Sequence, residues 1–394
     1  MIDSVTLKIS DFILFSDQHF NNLKYQEFRG KFGLFGKFET RHTDYPQEMK
    51  KKGVYFPQVN LMQRQRIIKG TGGKFSKEKY LLVQVSIPKL LYGTSLFDAD
   101  ERVLPLFALR LKEALLAIHV QVTEKAILEA IVQRIDYSKV LRISPSYGST
   151  ASLIREMAAY DSKQSSDFNQ NKFYNGSDGL YLKFYNSSQG LVIYDKFEEI
   201  TSQGTTKLDK EIAAGYKRGE MVHGALRIEL SLQLKQTVDS ALRRFYKGKK
   251  KNFTLPEAAR PDIAKQLLIE SFEKVYVRGF SGTVYLSKLK DADLYNQLRA
   301  SKAPFQQQAI LYFLTNRVRA VGLKAAIVEL KGQVSASSIG RYKKQTERIL
   351  AIANAKHDKV NAVGYLHRKL KQFTPIIPKQ LDTILGPKKE VMRL

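Results

Sequence analysis

Apolar and polar residues alternate with a period of two in several stretches of the chain. In 225–233, ALRIELSLQ, Leu226, Ile228 and Leu230 fall on one side of a predicted strand. Arg227, Glu229 and Ser231 fall on the other, because successive strand side chains point to opposite faces. Two more stretches repeat the pattern. In VQRIDYS, Arg134 and Asp136 flank Ile135, and in GLVIYDKF, Tyr194 and Lys196 share a face opposite Leu191 and Ile193. Each strand therefore offers a polar pair at i, i+2 and keeps its neighbours apolar. If the three join one sheet whose apolar face rests on helices, they make a common polar face.

The residues 180–197, LYLKFYNSSQGLVIYDKF, read as a hairpin of two alternating runs around a Ser/Gln/Gly turn. Tyr181, Lys183 and Tyr185 extend the polar face. A four-residue turn over Ser187, Ser188, Gln189 and Gly190 sets Lys183 across from Tyr194 and Tyr181 across from Lys196. Cross-strand partners lie about 5 Å apart between Cβ atoms. Further strands are predicted at 5–9, 80–87 and 130–143, and helices at 100–118, 148–160 and 205–217. The basic, polar stretch between the first two strands reads as exposed loop and hairpin, and 161–179 as a mobile loop. From about 237 helical periods dominate, at 238–247, 256–276, 290–300, 304–321, 335–355 and 358–371. The expected fold is α+β: an antiparallel-sheet domain packed on helices over 1–250, then a helical domain over 251–394, with a boundary near 250.

Charge narrows the function classes. The chain has 394 residues, 65 Lys plus Arg against 38 Asp plus Glu, and a net charge of +27. Such an excess suits a polyanion, nucleic acid before membrane. No apolar run is long enough to span a bilayer, and the opening MIDSVTLKIS does not read as a signal peptide. Cysteine is absent, which removes disulfides and thiolate metal sites. The six histidines are scattered in sequence, so a metal site is expected from carboxylates, suited to Mg²⁺ or Mn²⁺.

The polar face then has a chemistry. Asp136 and Glu229 hold a divalent cation that offsets charge on a phosphodiester. Tyr194, with Lys196 and Lys183 beside it, is a nucleophile whose phenolate nearby cations favour. Arg134 and Arg227 grip phosphate oxygens. Tyr185 and Tyr181 share the face and are alternative nucleophiles. A basic join, Arg243, Arg244, Lys247, Lys249, Lys250 and Lys251, contacts phosphates. In 334–352 a Ser-rich cap leads into a basic helix with Arg341, Lys343 and Lys344, a candidate recognition helix. The competing readings are salt-bridged pairs on a solvated sheet face and a solvated basic helix.

At these residues the chain resembles the gene II-type replication initiators of filamentous bacteriophages and, more distantly, the Rep-trans plasmid initiators of rolling-circle replication. The likeness runs through MIDSVTLKI, VSIPKLLYGTSLFD (85–98), RID (134–136), LVIYDKFEEI (191–200) and LRIEL (226–230). It departs from the family pattern at Ile87 and Ser95. The resemblance implies a nickase that cuts one strand at a double-stranded origin, keeps the 5′-phosphate on a tyrosine and later rejoins the displaced single strand. It maps the nucleophile onto Tyr194 with Lys196, and the Mg²⁺ or Mn²⁺ ligands onto Asp136 and Glu229. It also implies a bacterial host's cytoplasm, the host helicase and polymerase as partners, and a homodimer as one assembly. The alternative is a non-enzymatic origin- or DNA-binding protein. An RNA-binding protein is disfavoured by the lack of an aromatic RNP-type motif.

Overall fold

The computed structural model describes residues 1–378 apart from 21, 30–34, 68–74, 145–148, 159–169, 177–178, 222, 247–249, 277–297, 300–303, 322–328, 331–333, 336, 343 and 347–361. Twelve strands are described: β1 Ile2–Ile9, β2 Ile13–Leu14, β3 Asn22–Arg29, β4 Phe35–His42, β5 Gln58–Ile67, β6 Phe75–Ser86, β7 Val120–Gln121, β8 Ile131–Ile143, β9 Gln170–Gly176, β10 Gly179–Tyr185, β11 Gln189–Asp195 and β12 Gly224–Leu232. Ten of them form one sheet in the order β3-β4-β5-β6-β1-β8-β12-β11-β10-β9. Every pairing is antiparallel. The described helices are α1 Tyr45–Lys51, α2 Ile87–Tyr92, α3 Leu104–Leu116, α4 Glu124–Leu128, α5 Thr150–Ala158, α6 Lys196–Gln203, α7 Lys207–Lys217, α8 Lys235–Arg243, α9 Leu255–Ala258, α10 Pro261–Tyr276, α11 Phe305–Val321 and α12 Ala362–Gln372. The α+β expectation holds.

The alternation sets the layers. Ile135, Tyr137, Leu141, Ile193, Leu226, Ile228 and Leu230 are buried in one core with Leu153 and Ile154 of α5, Val238 and Leu242 of α8, Leu268 and Phe272 of α10 and Leu366 of α12. Helix α3 docks by Phe107, Ala108, Leu111 and Leu115, the i, i+4 stripe of an amphipathic helix. On the opposite face a smaller cluster of Val140, Phe197 and Ala225 packs against Ile212, Tyr216 and Met221. Helices α6 and α7 thus cover part of the polar side. Both start at a side-chain cap, Asp195 for α6 and Thr206 for α7.

Three expectations are corrected here. The stretch read as loop and hairpin between β1 and the strand at 80–87 contains β3, β4 and β5, which extend the sheet as a wing. Part of the segment read as a mobile loop is strand β9, paired along its length with β10. The hairpin turn is shorter than expected: Asn186 N–H bonds to the Gln189 carbonyl at 3.0 Å, leaving Ser187 and Ser188 as the loop. The side chain of Asn186 accepts from the N–H of Ser188 and Gln189, both at 2.8 Å, and so fixes the tight turn. The register consequently slips by two. Tyr181 pairs with Tyr194 and Lys183 with Val192. A two-residue slip keeps every side chain on its face.

The boundary expected near 250 falls inside the core, because Phe253, Ile263, Phe272 and Leu366 are buried with the sheet's side chains. All but Leu298 and Arg299 of the helix expected at 290–300, and positions 336, 343 and 347–355 of the one expected at 335–355, lie outside the described residues. No helix among the described residues is long and apolar enough to cross a membrane.

Candidate functional site

Strands β8, β12 and β11 are neighbours, so the three polar pairs do meet on one face. Ser231 stands opposite Asp136, and Glu229 opposite Ser138. On the other side, Arg227 stands opposite Tyr194 and Glu229 opposite Val192. The two carboxylates, Asp136 of β8 and Glu229 of β12, are therefore diagonal neighbours, about 7–8 Å apart, instead of a direct pair.

The phenol of Tyr194 donates to Glu229 Oε2 at 3.2 Å. Arg227 Nε lies 3.5 Å from the same oxygen, and its Nη2 lies 2.6 Å from Asp3. Arg227 also donates to the Ser95 carbonyl at 2.9 Å and to Ser138 Oγ at 2.7 Å. It is 1% exposed, so its charge serves the protein's own carboxylates. This corrects the expectation that Arg227 grips phosphate.

Asp136 is also buried and well held. It accepts from the hydroxyls of Ser4 and Ser231, and Arg134 Nη2 approaches at 3.2 Å. Arg134 keeps 38% of its side chain exposed and remains within reach of a ligand. Lys196 departs from expectation in one respect. It is the first residue of α6, not a strand residue, because Asp195 caps that helix through the Phe197 and Glu198 N–H groups. The helix start still places its ammonium 5.6 Å from the Tyr194 ring centroid, and its ion partner is Glu199 at 2.6 Å.

Electrostatics run against the simple picture of a phenolate made by lysines. Burial pushes Tyr194 well above its usual range; Arg227 opposes this, while Glu229, Glu199 and Asp3 add to it. Burial pushes Glu229 up to about 7, helped by the negative charge of Asp3 and resisted by Arg227, with Asp136 adding. Burial lowers Lys196, and Arg227 lowers it further against Glu199 and Asp3. Asp3 stays below the usual carboxylate range although burial raises it, because Arg227 and Lys196 outweigh burial. The phenol is therefore protonated at rest and hydrogen-bonded to a carboxylate that titrates near neutrality.

Among the described residues no group of three His, Asp or Glu side chains is placed to hold a metal. Asp136 and Glu229 are the two carboxylates that could take a hard divalent cation, and Asp136 would exchange its contacts with Ser4, Ser231 and Arg134 to do so. One feature favours the fit. Burial raises Glu229 most, and the negative charges of Asp3 and Asp136 add to it, a repulsion that a cation would relieve.

Other expected residues lie apart from this cluster. Lys183 stands opposite Val192 instead of directly across from Tyr194, and its ammonium lies 5.1 Å from the Tyr185 ring centroid. Tyr181 is one strand from Tyr194, and Tyr185 lies opposite Gly190. In the basic join, Arg243, Arg244, Lys250 and Lys251 are all exposed, and Arg244 pairs with Glu270 at 2.6 Å and Lys250 with Glu257. Lys247 and Lys249 lie outside the described residues. Arg341 and Lys344 are exposed on a described helical stretch, and Lys343 lies outside the described residues.

Sequence reasoning missed Asp3, Ser4 and Glu199. Asp3 meets Arg227 because β1 inserts beside β8 and its register shifts between Ile2 and Ser4. Nothing local in the sequence signals that contact. Glu199 had a signal, an acid three residues after Lys196 at the start of a helix. Comparison with family models, with curated proteins and with solved structures finds no match for this chain.

Proposed function

We propose that this chain nicks and rejoins a DNA strand through a covalent 5′-phosphotyrosine on Tyr194, as an initiator of rolling-circle replication does. The observation that carries the reading is the Tyr194–Glu229 hydrogen bond, set between the buried Arg227 and Lys196. The phenol oxygen attacks phosphorus, its proton passes to Glu229, and the bond to the 3′ oxygen breaks, that oxygen taking a proton from solvent to become a free 3′-OH. Rejoining reverses these steps. Lys196 and Arg227 lie close enough to stabilise negative charge as the phenol loses its proton. Asp136 and Glu229 would hold Mg²⁺ or Mn²⁺, which supplies charge stabilisation at the phosphodiester. The net charge of +27 supports DNA as the substrate.

One observation favours a second reading, a DNA-binding protein without chemistry. Asp136 is saturated by Ser4, Ser231 and Arg134, and Arg227 is committed to Asp3, as in a purely structural network. Incubation with supercoiled DNA of the replicon that encodes the chain, with and without Mg²⁺, separates the two. A nickase gives relaxed circles and a metal-dependent protein–DNA adduct. A binding protein gives neither, and its affinity follows salt alone.

A further inference from the structure

The polar face does not stop at Tyr194. Across β12, β11, β10 and β9 one register row runs Arg227, Tyr194, Tyr181, Tyr174. The next runs Glu229, Val192, Lys183, Lys172, and the third Ser231, Gly190, Tyr185, Gln170. Neighbouring strands lie about 4.8 Å apart, so these positions lead stepwise from the cluster to the sheet's edge strand. On β10, Leu182 and Phe184 are buried in the core, while Tyr181, Lys183 and Tyr185 on the other face are half-buried. The ammonium of Lys183 lies over the Tyr185 ring, and Gly190 opposite Tyr185 brings no side chain.

Charge completes the pattern. Strands β9, β10 and β11 contain a single carboxylate, Asp195, and that group is spent on capping α6. Aromatic rings interleaved with lysines, without acids, are what a single-stranded nucleic acid needs. Bases stack on rings whatever their identity, and lysines meet the backbone phosphates.

We propose that the β10–β11 part of this face is a platform for single-stranded DNA. Tyr181 and Tyr185 stack bases and Lys183 meets phosphate, so both tyrosines are positioning residues, not nucleophiles. The inference deepens the proposed function, since the strand held here is the one delivered to Tyr194.

The test is fluorescence anisotropy with a labelled single-stranded oligothymidylate, in a Tyr194→Phe background that keeps the strand intact. Tyr181→Ala and Tyr185→Ala are each expected to weaken binding about fivefold or more. Tyr181→Phe and Tyr185→Phe keep a ring and are expected to bind within about twofold of the parent. Lys183→Gln is expected to flatten the log–log salt dependence by about 0.7. Alanine variants that bind like the parent, phenylalanine variants as weak as the alanine ones, or a parent that does not bind the oligonucleotide would each overturn the platform. A separate adduct assay with Tyr194 intact distinguishes the two claims. If no adduct forms while the alanine variants still lose binding, the cleavage reading fails and the platform stands. If Tyr181→Phe or Tyr185→Phe binds normally but loses the adduct, that tyrosine is a nucleophile and its positioning role is wrong.

Discussion

Tyr194 donates its phenolic hydrogen bond to Glu229 diagonally across the β11–β12 pair, at 3.2 Å, while its direct cross-strand partner is Arg227. The diagonal matters for chemistry. It puts a proton acceptor at the phenol and a fixed positive charge beside both, without needing a lysine to ionise the tyrosine. Removing only the hydroxyl should therefore separate chemistry from structure. Tyr194→Phe is expected to keep the fold, with a stability change of about 1 kcal/mol, and the DNA affinity. It is expected to lose nicking. Thermal unfolding, equilibrium binding and relaxation of supercoiled DNA check the three parts.

Glu229 should leave a mark on stability as a function of pH. Its folded value of about 7 exceeds the ordinary 4.5, so the folded state binds the proton more tightly than the unfolded one. The stability linked to this group is complete below about pH 4.5 and is lost as pH rises through about 7. The full shift corresponds to at most about 3 kcal/mol. Glu229→Gln is expected to abolish cleavage and to flatten the pH dependence of stability between these limits. Urea unfolding of both proteins at pH 5 and pH 7.5 measures the difference.

Arg227 and Asp3 form a buried pair, so breaking it from one side leaves an uncompensated charge. Arg227→Met is expected to cost about 3–5 kcal/mol. Adding Asp3→Asn should recover part of the loss, because the second change removes the stranded carboxylate. A double-mutant cycle on denaturant midpoints reads the coupling; strictly additive effects would contradict the pairing.

Asp136 is held by the hydroxyls of Ser4 and Ser231 and by Arg134. Asp136→Asn is expected to lose metal-dependent nicking and to retain origin binding. Filter binding and relaxation assays run on the same preparation check this, with both activities lost together as the contrary result.

The cations of the basic join are not equivalent. All four described cations, Arg243, Arg244, Lys250 and Lys251, are exposed, but Arg244 and Lys250 are engaged by Glu270 and Glu257. Neutralising Arg243 and Lys251 should weaken binding to all duplex sequences and reduce the salt slope by about 0.9 for each DNA phosphate that is no longer neutralised. Neutralising Arg244 and Lys250 should do less. Salt titrations of random-sequence duplex binding make the comparison.

What the sequence made legible was periodicity. The polar faces of β8, β11 and β12 follow directly from alternation around Ile135, Ile193 and Ile228, and the structure places all three strands side by side. Alternation fixes a face but not a register. The two-residue slip at the hairpin turned on Asn186, whose side chain closes the turn two positions earlier than the Gly190 signal suggested. The wing of β3, β4 and β5 was hidden because its strands, such as FGKFETRH and QVNLMQRQRI, break their apolar residues with charged and amide side chains and look like loop. Contacts such as Asp3 with Arg227 join residues far apart in sequence through strand order, which no local pattern encodes.

The measurement closest to the central claim identifies the amino acid joined to DNA. The protein is incubated with supercoiled DNA of its own replicon and Mg²⁺, the adduct is digested with nuclease and protease, and the nucleotide-bearing peptide is sequenced by mass spectrometry. The account predicts a 5′-phosphate ester on Tyr194, absent when Mg²⁺ is chelated. Attachment at any other residue, or relaxed DNA with no attachment at all, would contradict it.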